Sequence, residues 1–435
     1  MMLSRREFVS SAALGPFVLF PGRAAAQRKT LKIAQWTHFV PGYNEWFANV
    51  YAKEWGRQHD TNVVVDQIPA DQINARAAAE VAAGQGHDLF MFPWPPAIYH
   101  RQAIDHTEIY QAIASRHGNV NKLGHLSTFQ PRTKRYFAVA DSWIPAVVHF
   151  FEDYWAEANT PFGPSNYDTL RAGSRKIRAL RGVPCGLALA PGLESNITLQ
   201  TMLFAYRTAV QDDEGNVALN RSYMTIQALK FAKGLYEDGG TPDALNWGPA
   251  GNVRAMLARK ASCTVNSISL LRAAERENPE LAKNILLRPP LLGPGGVWAV
   301  PHVTSCSLVW NFAENKDAAQ QFLVDLIDNS ATVFEKSESC NFPIYQNTLP
   351  NILGRLSHDP QGGPLAKYEE LKDALKWTRS LCYPGYATPE AMEAFHAAVV
   401  PRMFLSAIKG SASPEDAARA AEKELNSIYD KWKEA

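Results

Sequence analysis

Apolar and polar positions near the start of the chain follow two rhythms. Leu31-Lys32-Ile33-Ala34-Gln35-Trp36 and the valines between Asn62 and Asp66 are short apolar runs of strand type. Tyr43, Trp46, Phe47, Val50 and Tyr51 recur at helical spacing after Gly42. A second helix is expected over 71–83, stopping at Gly84, where the missing Cβ permits a left-handed cap. Asp88-Leu89-Phe90-Met91-Phe92 then reads as a buried strand that ends at Pro93-Trp94-Pro95-Pro96. Strands alternating with helices over short connections predict a parallel sheet with crossover helices. Ligands bind beyond the carboxyl ends of the strands in such sheets.

Further along, 135–140 reads as a strand, and Asp141-Ser142-Trp143-Ile144-Pro145 before the apolar run 146–151 reads as the chain leaving one sheet for another. Helices are expected over 153–158, 167–180 and 222–237, and strands over 184–189 and 261–265. Ser195 or Asn196 is the expected cap of an intervening helix. Gly295-Gly296-Val297-Trp298 leads to a strand over 304–310. A helix follows, with Asn315 as its expected N-cap and Ala319, Phe322, Leu323, Leu326 and Ile327 on one face. Residues 340–345 read as extended. The remainder is helical, its last helix starting at Pro414 with Ser413 as cap.

The composition narrows the classes. Of 435 residues, 44 are Lys or Arg and 43 are Asp or Glu, so no basic field holds nucleic acid. No apolar run in the body of the chain reaches spanning length, so direct insertion of the mature protein in a membrane is not expected. The five cysteines are scattered without a C-x-x-C, and they read as small apolar residues rather than a disulfide framework or zinc site. No metal and no cofactor is expected. Ser4-Arg5-Arg6-Glu7-Phe8, the apolar stretch to Phe20 and the small residues Ala24 and Ala26 form a twin-arginine-type export signal. Cleavage near Ala26 then leaves a periplasmic protein.

Several segments, in order and spacing, resemble the extracellular solute-binding proteins of family 1, the periplasmic sugar-binding components of ABC importers. They are Asp88–Phe92 after a helix ending in glycine, Asn166-Tyr167-Asp168-Thr169-Leu170, and Tyr236 to Pro242. Gly295 to Pro301 with Asn315 to Leu323, and Gly410 to Ala417, complete the set. Residues 256–265 and Asn266-Ser267 depart from the family pattern. The resemblance implies an α/β, periplasmic binding protein-like two-lobe fold of type II, with the ligand cleft between the lobes. Three interlobe crossings are implied near 140–144, 297–304 and 327–345. On that reading 27–142 and 301–330 form lobe 1, 143–300 and 345–435 form lobe 2, and 331–344 is a hinge. It also implies hinge closure around a small solute that passes to the transmembrane subunits of an inner-membrane permease. The protein is then a monomer.

A polyhydroxyl ligand needs flat apolar faces and fixed polar groups. The expected platforms are Trp36, Trp94, Trp143, Trp247 and Trp298. The expected polar partners are His38, Asp141, Glu194, Asn196, Asn266 and Asn341. Carboxylates accept from two hydroxyls at once. Trp46 and Trp55 are assigned to the core. A sugar or polyol is the first choice of ligand, and a small organic cation or acid on the same fold is the second. A secreted carbohydrate-active enzyme is the alternative of another class. It lacks support because G-x-S-x-G, H-E-x-x-H and P-loop motifs are absent.

Overall fold

The computed structural model describes residues 28–219, 222–359, 361 and 366–434. The export signal expected over 1–26 lies outside the described residues. Nine strands build two sheets: β1 (Lys29–Trp36), β2 (Thr61–Ile68), β3 (Leu89–Phe92), β4 (Val139–Ile144), β5 (Val147–Phe151), β6 (Cys263–Asn266), β7 (Ile285–Arg288), β8 (Val303–Val309) and β9 (Phe342–Pro343). The larger sheet has the order β9-β4-β8-β3-β1-β2, and the smaller has β6-β5-β7. Strand β1 runs parallel to both β2 and β3. Strand β8 returns from far along the chain to lie antiparallel between β3 and β4. The chain therefore passes between sheets after Ile144, returns before Val303, and departs again after Pro343.

The first passage is compressed into Pro145-Ala146, because Asp141 to Ile144, expected as connecting chain, is ladder. Proline has no N–H to continue that ladder. Arg135–Tyr136 is not part of β4; it forms a separate two-residue pairing with Phe129–Gln130. Residues 184–189 also depart from expectation. The Cys185 N–H bonds the Gly239 carbonyl and the Gly186 N–H bonds the Cys263 carbonyl, so the segment divides its bonds between two partners and builds no ladder.

The first helical stretch shows how one residue re-aims a face. Helices Pro41–Trp46 and Ala52–Gln58 are joined by a π-helical turn, Phe47–Tyr51. The extra residue in that turn rotates the second helix about its axis relative to the first. Phe47 stays buried while Val50, expected on the same face, is 57% exposed. The helix Ile73–Ala83 ends as expected at Gly84, which is left-handed with φ +63°.

Helix Lys316–Asp328 settles where the C-terminal half of the chain meets the N-terminal one. Phe322 packs against Phe47 at 5.9 Å and Trp55 at 5.1 Å, and the Trp55 Nε1–H donates to Asp325 at 2.7 Å. Full burial of each such ring contributes about 2 kcal/mol. Asn315 occupies the N-cap position without capping. Its side chain donates to the Thr30 carbonyl at 2.7 Å and its N–H donates to Asp88, so it ties the helix to the edge of β1. Ser195 and Asn196 likewise lie inside the first turn of helix Leu193–Ala205, whose N-cap is Gly192. Ser413 does cap the last helix, accepting from the Asp416 N–H at 3.0 Å.

Candidate ligand cleft

The carboxyl ends of β1 and β3 carry the first set of expected residues. Trp36 is buried against His38 at 5.0 Å and Phe39 at 5.2 Å, and His38 packs on Tyr43 at 4.6 Å. The His38 Nδ1 accepts the Val40 N–H at 3.0 Å, which leaves the proton on Nε2 to donate to Asn341 Oδ1 at 2.9 Å. Burial lowers this imidazole to about 4, so it is neutral at physiological pH. The link joins the start of the first helix to the residue that opens β9. Tyr43 stands between Asp141 and Asn341, and burial above all pushes its phenol upward.

Asp141 sits at the irregularity where β4 meets β8, and it accepts from Ser142 at 2.7 Å and Ser307 at 3.1 Å. Burial raises its carboxyl to about 6, against the pull of those hydroxyls. Trp143, its neighbour on β4, is buried opposite Thr304 and packs on Phe342 at 5.3 Å. His38, Asp141 and Asn341 thus meet around Tyr43, with Trp36 packed against His38, and Trp143 is packed inside the sheet layer.

Trp94 meets the C-terminal part of the chain. Its ring lies 6.0 Å from Phe395 and 5.5 Å from His396, at the end of helix Pro389–His396. The Asn196 amide donates to the Phe395 carbonyl at 3.1 Å, and Asn74 approaches His396 Nδ1 at 3.2 Å. Burial lowers His396 to about 4. Trp94 and Asn196 therefore converge on Phe395, with His396 also against Trp94. Nearby, Arg132 pairs with the buried Glu390 at 2.8 Å, and the Ala387 N–H bonds the Leu126 carbonyl.

The remaining expected residues are dispersed. Glu194 accepts the Ala250 N–H at 3.0 Å. Half-buried Trp247 packs so closely on Gly251 that a Cβ there would fall 2.5 Å from its own Cβ. Asn266 is opposite Val147 in the small sheet and approaches Asn252 at 3.4 Å. Trp298 is apart from the others. Its Nε1–H donates to the Gly295 carbonyl, and the Arg379 guanidinium stacks on its ring at 3.6 Å. Gly295 in turn bonds Ala205, at the end of helix Leu193–Ala205 opposite to Asn196.

Unpaired polar atoms mark the seam between the two sets of elements. Gln35 Oε1, Trp94 Nε1, Asn196 Oδ1 and Thr304 Oγ1 are buried without a hydrogen-bond partner. Gln35 is opposite Met91 near the end of β3, and the Thr304 N–H bonds the Pro93 carbonyl, so three of the four lie along one sheet edge. His302 Nδ1 is also unpaired, just before β8, and His149 is wholly buried within β5. His302 lies 5.3 Å from Phe39. Burial lowers His302 to about 4 and His149 to about 3. An orphaned buried group costs about 1 to 3 kcal/mol, and each of these unpaired atoms can pair with a ligand hydroxyl.

Gln35, Thr304, Phe39, Tyr43, His149, His302 and His396 were absent from the expected site. A histidine inside the apolar run Val147-Val148-His149-Phe150-Phe151 is a signal available in the sequence, as is His302 directly after Pro301. The grouping of Trp94 with His396 has no local signal, since 302 positions separate them. Aromatic walls, neutral imidazoles and amide groups can stack on and hydrogen-bond an uncharged solute. Among the described residues, no cluster of three or more His, Cys, Asp or Glu is placed to hold a metal. No helix there is long and apolar enough to cross a membrane.

No family model matches the chain. Binding proteins of Brucella abortus and Brucella suis are 23% identical over 205 residues, which is 47% of this chain; the chain spans about half the length of these curated relatives, 47%. Solved structures align over much more. An ABC transporter solute-binding protein from Thermotoga lettingae, bound with alpha-D-tagatose, superposes with a TM-score of 0.76 at 15% identity, covering 92% of this chain and 99% of that one. A sugar transporter from Arthrobacter chlorophenolicus with bound laminaribiose gives 0.77 at 13%, with the same coverage. A maltose-bound protein of T. maritima gives 0.73 at 17%, over 92% and 99%. The chain has the two-lobe α/β fold of the ABC-transporter solute-binding proteins.

Proposed function

We propose that this protein is the periplasmic solute-binding component of an ABC importer, taking a sugar or polyol between its lobes and delivering it to an inner-membrane permease. The observation that carries this is the seam itself. Unpaired Gln35, Trp94, Asn196 and Thr304 atoms, together with the Trp36, Phe39 and Trp94 rings, fit a ligand of flat apolar faces and many hydroxyls. Solved neighbours that carry tagatose, laminaribiose and maltose support the same class. On this reading lobe 1 is 27–142 with 301–330, lobe 2 is 143–300 with 345–435, and 331–344 is the hinge. The export signal delivers the chain to the periplasm as a noncatalytic monomer.

A small organic cation is the second reading, favoured by the Asp141 carboxyl, which is charged above about pH 6 close to the Tyr43 ring. Thermal shift against sugars, polyols and amines separates the two. A ligand at 100 times its dissociation constant adds about 2.7 kcal/mol. Stabilisation by sugars or polyols supports the first reading, and stabilisation by amines alone replaces it with the second. Silence from the whole panel together with turnover of a glycoside overturns both in favour of an enzyme.

A further inference from the structure

The cysteines are spread through the sequence, yet the fold brings two of them into contact. Cys185 and Cys263 Sγ atoms lie 3.5 Å apart across 78 positions, both buried. The backbone on either side clamps them. The Ser262 N–H bonds the Pro184 carbonyl at 2.8 Å, and the Gly186 N–H bonds the Cys263 carbonyl at 2.8 Å. The Thr264 hydroxyl adds a bond to the Gly186 carbonyl at 2.7 Å. Gly186 permits this approach, since a Cβ there would fall 2.6 Å from the Ala261 Cβ. All five cysteines are free thiols, and this is the one thiol–thiol contact among the described residues.

We propose that Cys185 and Cys263 are a redox-active pair that closes into a disulfide when the protein meets a disulfide oxidant. A bridge needs the sulfurs at about 2.05 Å, so they approach by about 1.5 Å between two segments already held together by backbone hydrogen bonds. The polarity of the pair favours the exchange. Cys185 is held below the usual thiol range chiefly by its hydrogen bond with Cys263, whose own thiol is pushed up by the same contact. The Cys185 thiolate attacks one sulfur of a small disulfide RSSR, forming a mixed disulfide and expelling RS⁻. Cys263 loses its proton and attacks the Cys185 sulfur, expelling the second RS⁻. Two protein thiols become one disulfide and RSSR becomes two RSH, the protons passing to the departing thiolates. The bridge ties β6 to the segment that runs on to Gly192 and the helix bearing Glu194 and Asn196, so oxidation stiffens one wall of the cleft. This holds whatever solute the cleft takes.

The test is a thiol count on the full chain. The protein is incubated with 2-hydroxyethyl disulfide, with and without mild denaturant to open the pair, then acid-quenched, unfolded, alkylated and mapped by mass spectrometry. The expected result is a fall from five free thiols to three, with a cross-linked peptide joining Cys185 to Cys263 and a higher melting temperature. Cys306→Ser, with four thiols, should fall to two. Cys263→Ser should keep all four, or leave Cys185 as a mixed disulfide with the oxidant. Five thiols persisting under both conditions, or a cross-link between any other two cysteines, overturns the proposal.

Discussion

Asp141→Asn should make this protein more stable at alkaline pH. The wild-type carboxyl is raised by burial from 3.8 to about 6 in the folded protein, a difference worth about 3 kcal/mol between its protonated and ionised forms. Because the folded-state value lies above the unfolded one, the folded chain holds this proton more tightly. The resulting stabilisation is full below about pH 4 and is lost as pH rises through about 6. At pH 8 the folded protein contains a buried carboxylate that the unfolded chain ionises freely. An amide of the same shape escapes that cost. Its Oδ1 can accept from Ser142 or Ser307, and the other hydroxyl can rotate to accept from Nδ2. Urea unfolding at pH 8 should then show Asp141→Asn more stable by about 2 to 3 kcal/mol, with the difference closing near pH 4. Equal or lower stability of the variant at pH 8 would show that the serine hydroxyls outweigh burial, refuting the reasoning.

His149→Phe should be neutral or stabilising at pH 7.5, since it replaces a fully buried polar imidazole with an apolar ring of similar shape. It should also flatten the acid limb. With a folded-state value of about 3 below the unfolded 6.5, the stability tied to neutral His149 is full above pH 6.5 and falls by about 2 kcal/mol at pH 5; an unchanged pH slope in urea titrations would contradict this. Trp94→Phe keeps a ring against Phe395 and His396 but deletes the unpaired N–H. Calorimetry with the solute found in the thermal-shift panel should show roughly tenfold weaker binding, one hydrogen bond's worth, at nearly unchanged melting temperature. Trp298→Ala should cost about 1 kcal/mol of stability through the lost Arg379 stacking, read by chemical denaturation, with solute affinity held. A large affinity loss would instead restore Trp298 to the cleft.

The opening strand, helix, strand pattern, the glycine stop at Gly84, the Ser413 cap and the amphipathic helix at 316–328 were legible in the chain itself. Each depends on neighbours within a few residues, through side-chain periodicity or backbone freedom. The same local cues placed Trp36, His38 and Trp94 at strand ends. They misjudged Asn315, because a cap is preferred locally but the Thr30 carbonyl, 285 positions away, competed for its amide. They misjudged Val50, because a π turn has no sequence periodicity of its own.

What the chain determined by itself was therefore the opening parallel strands and the buried faces of its helices. That antiparallel strands from later in the chain complete the larger sheet, and that the smaller sheet is wholly antiparallel, was decided by the fold. Tertiary structure decided which of eleven expected residues meet: His38, Asp141 and Asn341 around Tyr43 with Trp36 against His38, Trp94 with Asn196 through Phe395, and Trp298 under Arg379 elsewhere. It also placed Cys185 against Cys263 and left the seam atoms unpaired. The physical reason is common to all of these. Periodicity reports which face of an element is buried, whereas the partner on the facing element is set by where the chain crosses between the sheets, and those crossings join segments hundreds of residues apart.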